Sequence, residues 1–198
     1  PIGVRCAFSD LVEVAEPGAY GVVGVPVDMT ALAGGGARLG PSEIRKATGA
    51  PLFTSEGDVL DHEFGRLYRD LALRVFDLGD VDPEGGRMDH VGLRLQKVLR
   101  EILTCGMRPL VLGGDHGLSH YVLEVLCESV PRFGILHFDA HADLGPSRTL
   151  SHANVFAAAL ESERVASLTQ VGLRMLERMS VHAEAVPCPK RTIVTARE

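Results

Sequence analysis

Short aliphatic runs alternate along the chain with segments whose apolar positions recur every three to four residues. Gly21–Val27 (GVVGVPV) is a continuous apolar run, the pattern of a strand buried on both faces. Gly40-Pro41 then reads as an N-cap with proline at the first helical position, opening a helix through about Ala47. Arg74–Gly79 (RVFDLG) predicts a second strand. Asp89 is placed to cap a helix bearing Val91, Leu95, Val98, Leu99, Ile102 and Leu103 on one stripe, and Gly106 ends it as a C′ glycine. Pro109–Gly113 predicts a third strand, followed by a helix with Leu118, Tyr121, Val122, Val125 and Leu126 on one side. Phe133–Phe138 (FGILHF) predicts a fourth strand, Asn154–Leu160 a helix, and Leu168–Leu173 and Thr192–Thr195 further strands. Gly49–Leu73 shows no clear period, and Met179–Lys190, with two prolines, reads as a loop. Strands alternating with helices imply an α/β fold whose mainly parallel sheet is covered on both faces.

Composition narrows the class without changing it. The 198 residues are 45% hydrophobic and 23% charged, which excludes a disordered tail or a fibre and suits one domain, residues 1–198. A chain of this length buries roughly 70% of its unfolded surface and needs no disulfide or metal merely to fold. The net charge of −6 comes with no basic stripe, so no nucleic-acid partner is expected. The longest apolar stretch, about Tyr20–Val27, is far short of the ~20 residues of a membrane span, and no membrane association is expected. Cys6, Cys105, Cys127 and Cys188 are scattered and form no C-x-x-C, which fits reduced thiols and a cytoplasmic setting. No secretory leader pattern opens the chain.

In a parallel sheet, ligands bind beyond the carboxyl ends of the strands. Two polar motifs sit at such ends. Gly113-Gly114-Asp115-His116 follows PLVL, and its glycines permit a sharp turn. His137-Phe138-Asp139-Ala140-His141-Ala142-Asp143 follows FGIL. Asp139, His141 and Asp143 are spaced by two, so an extended chain points all three to one face. Desolvating two carboxylates together is unfavourable, and a divalent cation offsets that cost. Imidazole with carboxylate and no thiolate suits Mn²⁺, Zn²⁺, Fe²⁺ or Ni²⁺, and several carboxylates favour two metals over one. His137 lies inside the strand, where a core role or a supporting role behind the ligands fits better than ligation. Ser151-His152-Ala153-Asn154 supplies a loop histidine able to shuttle protons, although Ser151 or Asn154 equally suits a helix cap. A plain turn with a capping Asp115 is the alternative for the first motif. Gly34–Gly36 lacks the Lys-Ser/Thr of a P-loop, no Ser sits in G-x-S-x-G, and His62, His90 and His182 read as surface residues.

GGDH, then DAHAD, then SHAN resembles the ureohydrolase family of arginase, agmatinase and formimidoylglutamase, and the match runs from about Tyr20 to Arg174. GVPVD and GARLGPSEIRKA resemble its N-terminal segment. The resemblance implies a three-layer α/β/α fold and a binuclear Mn²⁺ site. His116 looks like the terminal ligand of one metal and His141 that of the other. Asp139 would bridge, Asp143 would bind on the His116 side, and His152 would be the catalytic proton-transfer residue. The implied reaction is attack of a metal-bridging hydroxide on the guanidinium carbon of a small guanidino substrate, releasing urea and an amine. SHAN is closer to the agmatinase pattern than to the arginase one, which favours a non-arginine substrate.

Two departures shape the alternatives. The family's S-x-D-x-D-x-x-D-P motif, which supplies two more aspartates, is absent, and TIVTARE resembles the segment preceding it. The chain thus corresponds to about the N-terminal two-thirds of the fold, with four ligands where a full site uses six and a second metal site incomplete. Gly117 also replaces the serine that usually follows the GGDH histidine. A catalytically incomplete domain acting as a structural or interaction module is the alternative to an enzyme, and a four-ligand mononuclear hydrolase is a third reading. An unfinished parallel sheet exposes an apolar edge, so a homo-oligomer or a partner chain covering that edge is expected.

Overall fold

The computed structural model describes residues 4–5, 15–31, 34–48, 59–68, 75–83, 86–145, 150–175 and 190–195. Cys6, Cys188, His182 and nearly all of the Met179–Lys190 loop lie outside them. The strands are β1 (Val4–Arg5), β2 (Tyr20–Val25), β3 (Val59–Asp61), β4 (Arg66–Tyr68), β5 (Val75–Asp80), β6 (Arg108–Gly113), β7 (Phe133–Phe138), β8 (Val165–Leu173) and β9 (Arg191–Thr195). The α-helices are α1 (Gly40–Ala47), α2 (Met88–Thr104), α3 (Leu118–Ser129) and α4 (Ala157–Glu161), with 3₁₀ turns at Ala37–Leu39 and His152–Asn154. The α/β alternation expected from the pattern is present. The chain divides into two compact units, residues 1–28 with 36–114, and residues 29–35 with 115–198.

The first unit is built on a parallel sheet of order β1-β5-β2-β6. Its central strand β2 carries Val22, Val23 and Val25, all fully buried, which is why the GVVGV run shows no polar alternation. Helix α2 buries Val91, Leu95, Leu99 and Ile102, and Ile102 joins Ala19, Leu78 and Met107 in one cluster. Gly106 ends α2 at φ 71°, with the Gly106 N–H donating to Leu103 O (3.0 Å) and the Met107 N–H to Ile102 O (3.1 Å), a Schellman arrangement. Asp89 is not the cap. Arg87 is, because the Val91 N–H already reaches back to the Arg87 carbonyl (3.2 Å), and Asp89 in the first turn pairs with Arg87 at 2.6 Å. That hydrogen bond from Arg87 holds the Asp89 carboxyl at about 2.

Two further corrections fall in this unit. Gly40 is the first helical residue rather than the cap, because the 3₁₀ turn at Ala37–Leu39 runs straight into α1. Its bare Cα lies against β6, where an added Cβ would meet Gly113 O at 2.7 Å. The segment without a clear period contains an antiparallel hairpin of β3 and β4, its turn set by Asp61 accepting from the Glu63 and Phe64 N–H groups. Arg45 of α1 grips the buried Asp77 of β5 through two bonds (2.8 and 3.0 Å), and also reaches Asp80 and Gly79 O.

The second unit has a parallel sheet of order β7-β8-β9. Leu123 of α3, Val155, Phe156, Ala159 of α4, and Val165 and Leu168 of β8 form its core, with Phe133 and Ile135 of β7 packed against it. On the opposite face of β7, among the described residues, Leu136 is 61% and Phe138 70% exposed. No helix of the described residues is long and apolar enough to cross a membrane.

The end of β6 tests the packing. Gly114 donates its N–H to Val25 O (3.1 Å), and a Cβ at this position would lie 1.8 Å from Val27 O. Backbone must move to admit it. Gly114→Ala is expected to cost about 2 kcal/mol, in the range for overpacking a tight site. Urea denaturation checks this, and an unchanged midpoint would contradict the close approach.

Candidate metal centre

The site lies wholly in the second unit, where β7 and the turn before α3 end. Along β7 the side chains alternate, so His137 is buried while Phe138 faces out. The strand's last ladder bond is the Asp139 N–H to Val171 O (3.1 Å). Beyond it the chain does not stay extended. Asp143 adopts φ 51°, the single non-glycine residue with positive φ among the described residues. Asp tolerates this left-handed conformation better than most residues, and such outliers concentrate at functional sites.

That turn decides which side chains meet. Asp143 Oδ2 lies 2.7 Å from His116 Nδ1. His137 Nε2 lies 3.7 Å from Asp139 Oδ2 and 3.8 Å from Asp143 Oδ2. His116, His137, Asp139 and Asp143 each offer one ligand atom, all within 4.8 Å of one another. Of the four residues expected to bind metal, His116, Asp139 and Asp143 come together. His141 stands beside the cluster, half exposed, held by Asp139. Its backbone N–H donates to Asp139 Oδ1 (2.9 Å) and its Nδ1 lies 3.2 Å from the same oxygen. Asp139 thus turns one oxygen to His141 and the other toward His137. The donor set of imidazoles and carboxylates, without thiolate, fits a borderline-hard divalent cation such as Mn²⁺ or Zn²⁺. The buried, unpartnered His137 Nε2 beside two carboxylate oxygens marks the place.

The surroundings set the electrostatics. Burial lowers the affinity of His137 for a proton, and the neighbouring His116 adds to this, which outweighs the pull of Asp143 and Asp139. For Asp139, burial raises the carboxyl, but hydrogen bonds from His141 and the charge of His137 bring it below the usual carboxylate range. Phe156, buried, walls the pocket with its ring 4.6 Å from that of His137 and 5.6 Å from that of His116. The two histidine rings stack at 5.3 Å.

Asp115 of the GGDH motif does not join the cluster. Its carboxylate accepts from the Thr30 N–H (2.8 Å), the Thr30 hydroxyl (2.7 Å) and the Gly117 N–H (2.8 Å), so it serves as the turn's capping group. Thr30 passes the tie on. Its hydroxyl accepts the His152 N–H (3.1 Å), and its carbonyl meets His152 Nδ1. His152 therefore stands outside the four-residue cluster with its ring held through Nδ1. Ser151 and Asn154 form a capping box around the 3₁₀ turn, as the capping alternative required. Sequence reasoning missed Thr30, Phe156 and Gln170. Gln170 left a signal, a lone amide in the apolar strand SLTQVGL, since a buried amide needs partners.

A model of the arginase family matches residues 19–198. The chain belongs to the arginase family. It is 34% identical over 142 residues to the agmatinase of Bacillus subtilis, covering 70% of this chain and 46% of that one. It is 30% identical over 167 residues to the guanidinobutyrase of Pseudomonas aeruginosa, covering 77% and 47%. The crystal structure of a hypothetical agmatinase from Burkholderia thailandensis superposes with a TM-score of 0.73 at 25% identity, covering 92% of this chain and 55% of that one. The chain spans about half the length of these relatives. The resemblance seen in GGDH, DAHAD and SHAN is thereby borne out, and with it the arginase-type three-layer α/β/α fold.

The depressed His137 proton affinity gives a pH dependence with a definite sign. Below the ordinary value of 6.5 the unfolded chain binds a proton that the folded chain refuses. Stability is therefore lost as pH falls from about 6.5 toward the lower folded value. His137→Gln removes the ionisation. Urea unfolding of the metal-free chain at pH 7.5 and 5.5 is expected to show the larger acid loss in the wild type. Equal losses in both chains would rule the effect out.

Proposed function

We propose that this member of the arginase family is a metal-dependent hydrolase of a small guanidino or amidino compound, with an agmatine-like amine as the favoured substrate. The observation that carries the reading is the convergence of His116, Asp139 and Asp143, with His141 on the outer oxygen of Asp139, at the carboxyl end of a parallel strand. The names of the relatives, an agmatinase and a guanidinobutyrase, and the SHAN motif support the substrate class.

His116, Asp139, His141 and Asp143 would hold the cation, Mn²⁺ by family. Bound there, it supplies a deprotonated water nucleophile at neutral pH. Water adds to the guanidinium carbon, and the tetrahedral species then loses the substituted nitrogen as the C–N bond breaks. The leaving amine needs a proton at this moment. His152, anchored through Nδ1 on the Thr30 carbonyl, would carry it on Nε2. Urea and an amine result. The same residues without turnover describe the module reading, in which the ligands hold at most one ion.

Urea release from agmatine, guanidinobutyrate and arginine, with Mn²⁺ added, tests the reaction. Turnover by the wild type that falls to background in His141→Ala and Asp139→Asn is expected. A folded, Mn²⁺-loaded chain that releases no urea would instead establish the module. Metal analysis after dialysis is expected to find no more than one tightly held Mn²⁺ per chain, and two equivalents would contradict that.

We also propose a cytoplasmic setting and a second chain over β7. Leu136 and Phe138 are large apolar groups on an edge strand of a parallel sheet, a surface that parallel sheets ordinarily cover. Light scattering is expected to show self-association that Phe138→Lys weakens. A monodisperse wild-type monomer would count against a second copy.

A further inference from the structure

The cluster holds two candidate histidines besides His116. Proximity favours His137, whose Nε2 is the atom near the carboxylates, while His141 is reached through Asp139. The placement of protons gives a different answer.

Gln170 of β8 has no exposed surface. Its Oε1 accepts from Arg191 Nε at 2.7 Å, and its Nε2 donates to Ala142 O at 2.7 Å. A guanidinium can only donate and a carbonyl can only accept, so these two partners fix which end of the amide is oxygen and which is nitrogen. The second hydrogen on Nε2 then points at His137 Nδ1, 3.0 Å away. Nδ1 must accept it. An imidazole whose Nδ1 accepts carries its proton on Nε2 and is neutral. That Nε2–H is buried, makes no hydrogen bond, and faces Asp139 Oδ2 and Asp143 Oδ2 at 3.7 and 3.8 Å.

We infer that the chain Arg191–Gln170 locks His137 as the Nε2–H tautomer, so that His137 is a positioning residue, its Nε2–H aimed at the carboxylate pair Asp139/Asp143, and is not a metal ligand. A nitrogen bearing a proton has no lone pair for a cation. To ligate, His137 would have to move its proton to Nδ1, against a Gln170 hydrogen that cannot turn away without breaking the bonds to Ala142 and Arg191. The unmade bond explains the geometry. Nε2–H stands a few tenths of an ångström beyond hydrogen-bond reach of two oxygens, and a small shift of either carboxylate completes it. The donor partly neutralises the mutual repulsion of Asp139 and Asp143 and limits the directions they can take. This gives β8 and β9 a part in shaping the cluster, through Gln170 and Arg191.

The inference rests on the metal reading only in its second arm. In the first, long-range ¹H–¹⁵N correlation of the histidine rings is recorded on the metal-free chain. His137 is expected to show a protonated Nε2 and a bare Nδ1, and Gln170→Leu to lose this pattern. The Nδ1–H form in the wild type would overturn the lock, whether or not the chain binds metal and whether or not the Gln170 variant folds. In the second arm Zn²⁺, which is diamagnetic, is added and its affinity is measured by competition with a chelator. His137 is expected to keep its Nε2 proton when Zn²⁺ binds. His137→Gln, which places an amide N–H near the Nε2 position, is expected to retain close to wild-type affinity. His137→Ala is expected to lose about 10–100-fold, the usual cost of removing a group that orients ligands. A His137 Nε2 stripped of its proton by Zn²⁺, or a glutamine variant as weak as the alanine variant, would make His137 a ligand. Failure of all these chains to bind Zn²⁺ would overturn the metal reading and leave the tautomer result standing.

Discussion

Two carboxylates brought out of water beside each other are the constraint around which the second unit is organised. Asp139 and Asp143 leave the end of β7 within a few ångströms of His116 and His137. Each group would be better hydrated in an unfolded chain, so the fold must supply what water no longer does. It supplies it unequally. Asp143 has the His116 imidazole at hydrogen-bond distance, and Asp139 has the backbone and ring of His141. Asp139 Oδ2, which His141 does not reach, and Asp143 Oδ2, already beside His116, both face the His137 Nε2–H, which stands beyond hydrogen-bond distance of either. An arrangement left one partner short fits a cation better than it fits a salt-bridged core.

The same constraint explains the backbone. A regular strand sends Asp139, His141 and Asp143 to one side at intervals of nearly 7 Å, too far apart for three groups to share one ion. The left-handed turn at Asp143 folds the third residue back to His116 and leaves the second outside. Just before His116 in the chain, the close approach of Gly114 to the Val25 and Val27 carbonyls is followed by a turn that Asp115 closes on Gly117 and Thr30. Through Thr30 that turn also carries the tether of His152. One buried carboxylate therefore ties together the turn that bears His116 and the loop that bears His152.

What could be read from the sequence followed from periodicity. The strands expected at Gly21–Val27, Phe133–Phe138 and Leu168–Leu173, observed at Tyr20–Val25, Phe133–Phe138 and Val165–Leu173, and the helices from Gly40 and through Leu95 and Leu99, are written in apolar spacing. The start of α2 was misplaced by two residues because Arg87 and Asp89 compete for one helix end, and pairing settles it for Arg87. The β3–β4 hairpin escaped because its strands are three residues each, too short for any period to show. Asp139 and Asp143 do come together, as residue type and spacing suggest, but i, i+2, i+4 spacing assumes an extended chain, and the turn at Asp143 leaves His141 beside the cluster. Gln170 showed only as an amide in a buried strand, since its relation to His137 depends on the pairing of β7 with β8 (His137↔Gln170) and not on any distance along the chain.

That pairing carries the argument about ligands one step further. Strand register places residue 170 opposite residue 137, and Arg191 on the adjacent strand orients the amide between them. Each strand of the three contributes one member of a line of polar groups across the sheet. Such a line survives burial because every donor finds an acceptor, down to the last N–H. The last N–H is where the fold stops balancing its own hydrogen bonds and the carboxylates begin. A histidine at that position is constrained from behind, by two neighbouring strands, before any ion arrives. His141, on the loop and half exposed, carries no such constraint and keeps a lone pair to offer. Closeness in the metal-free chain and competence to bind are thus separate properties, and it is the direction of hydrogen bonding through the sheet that distinguishes them.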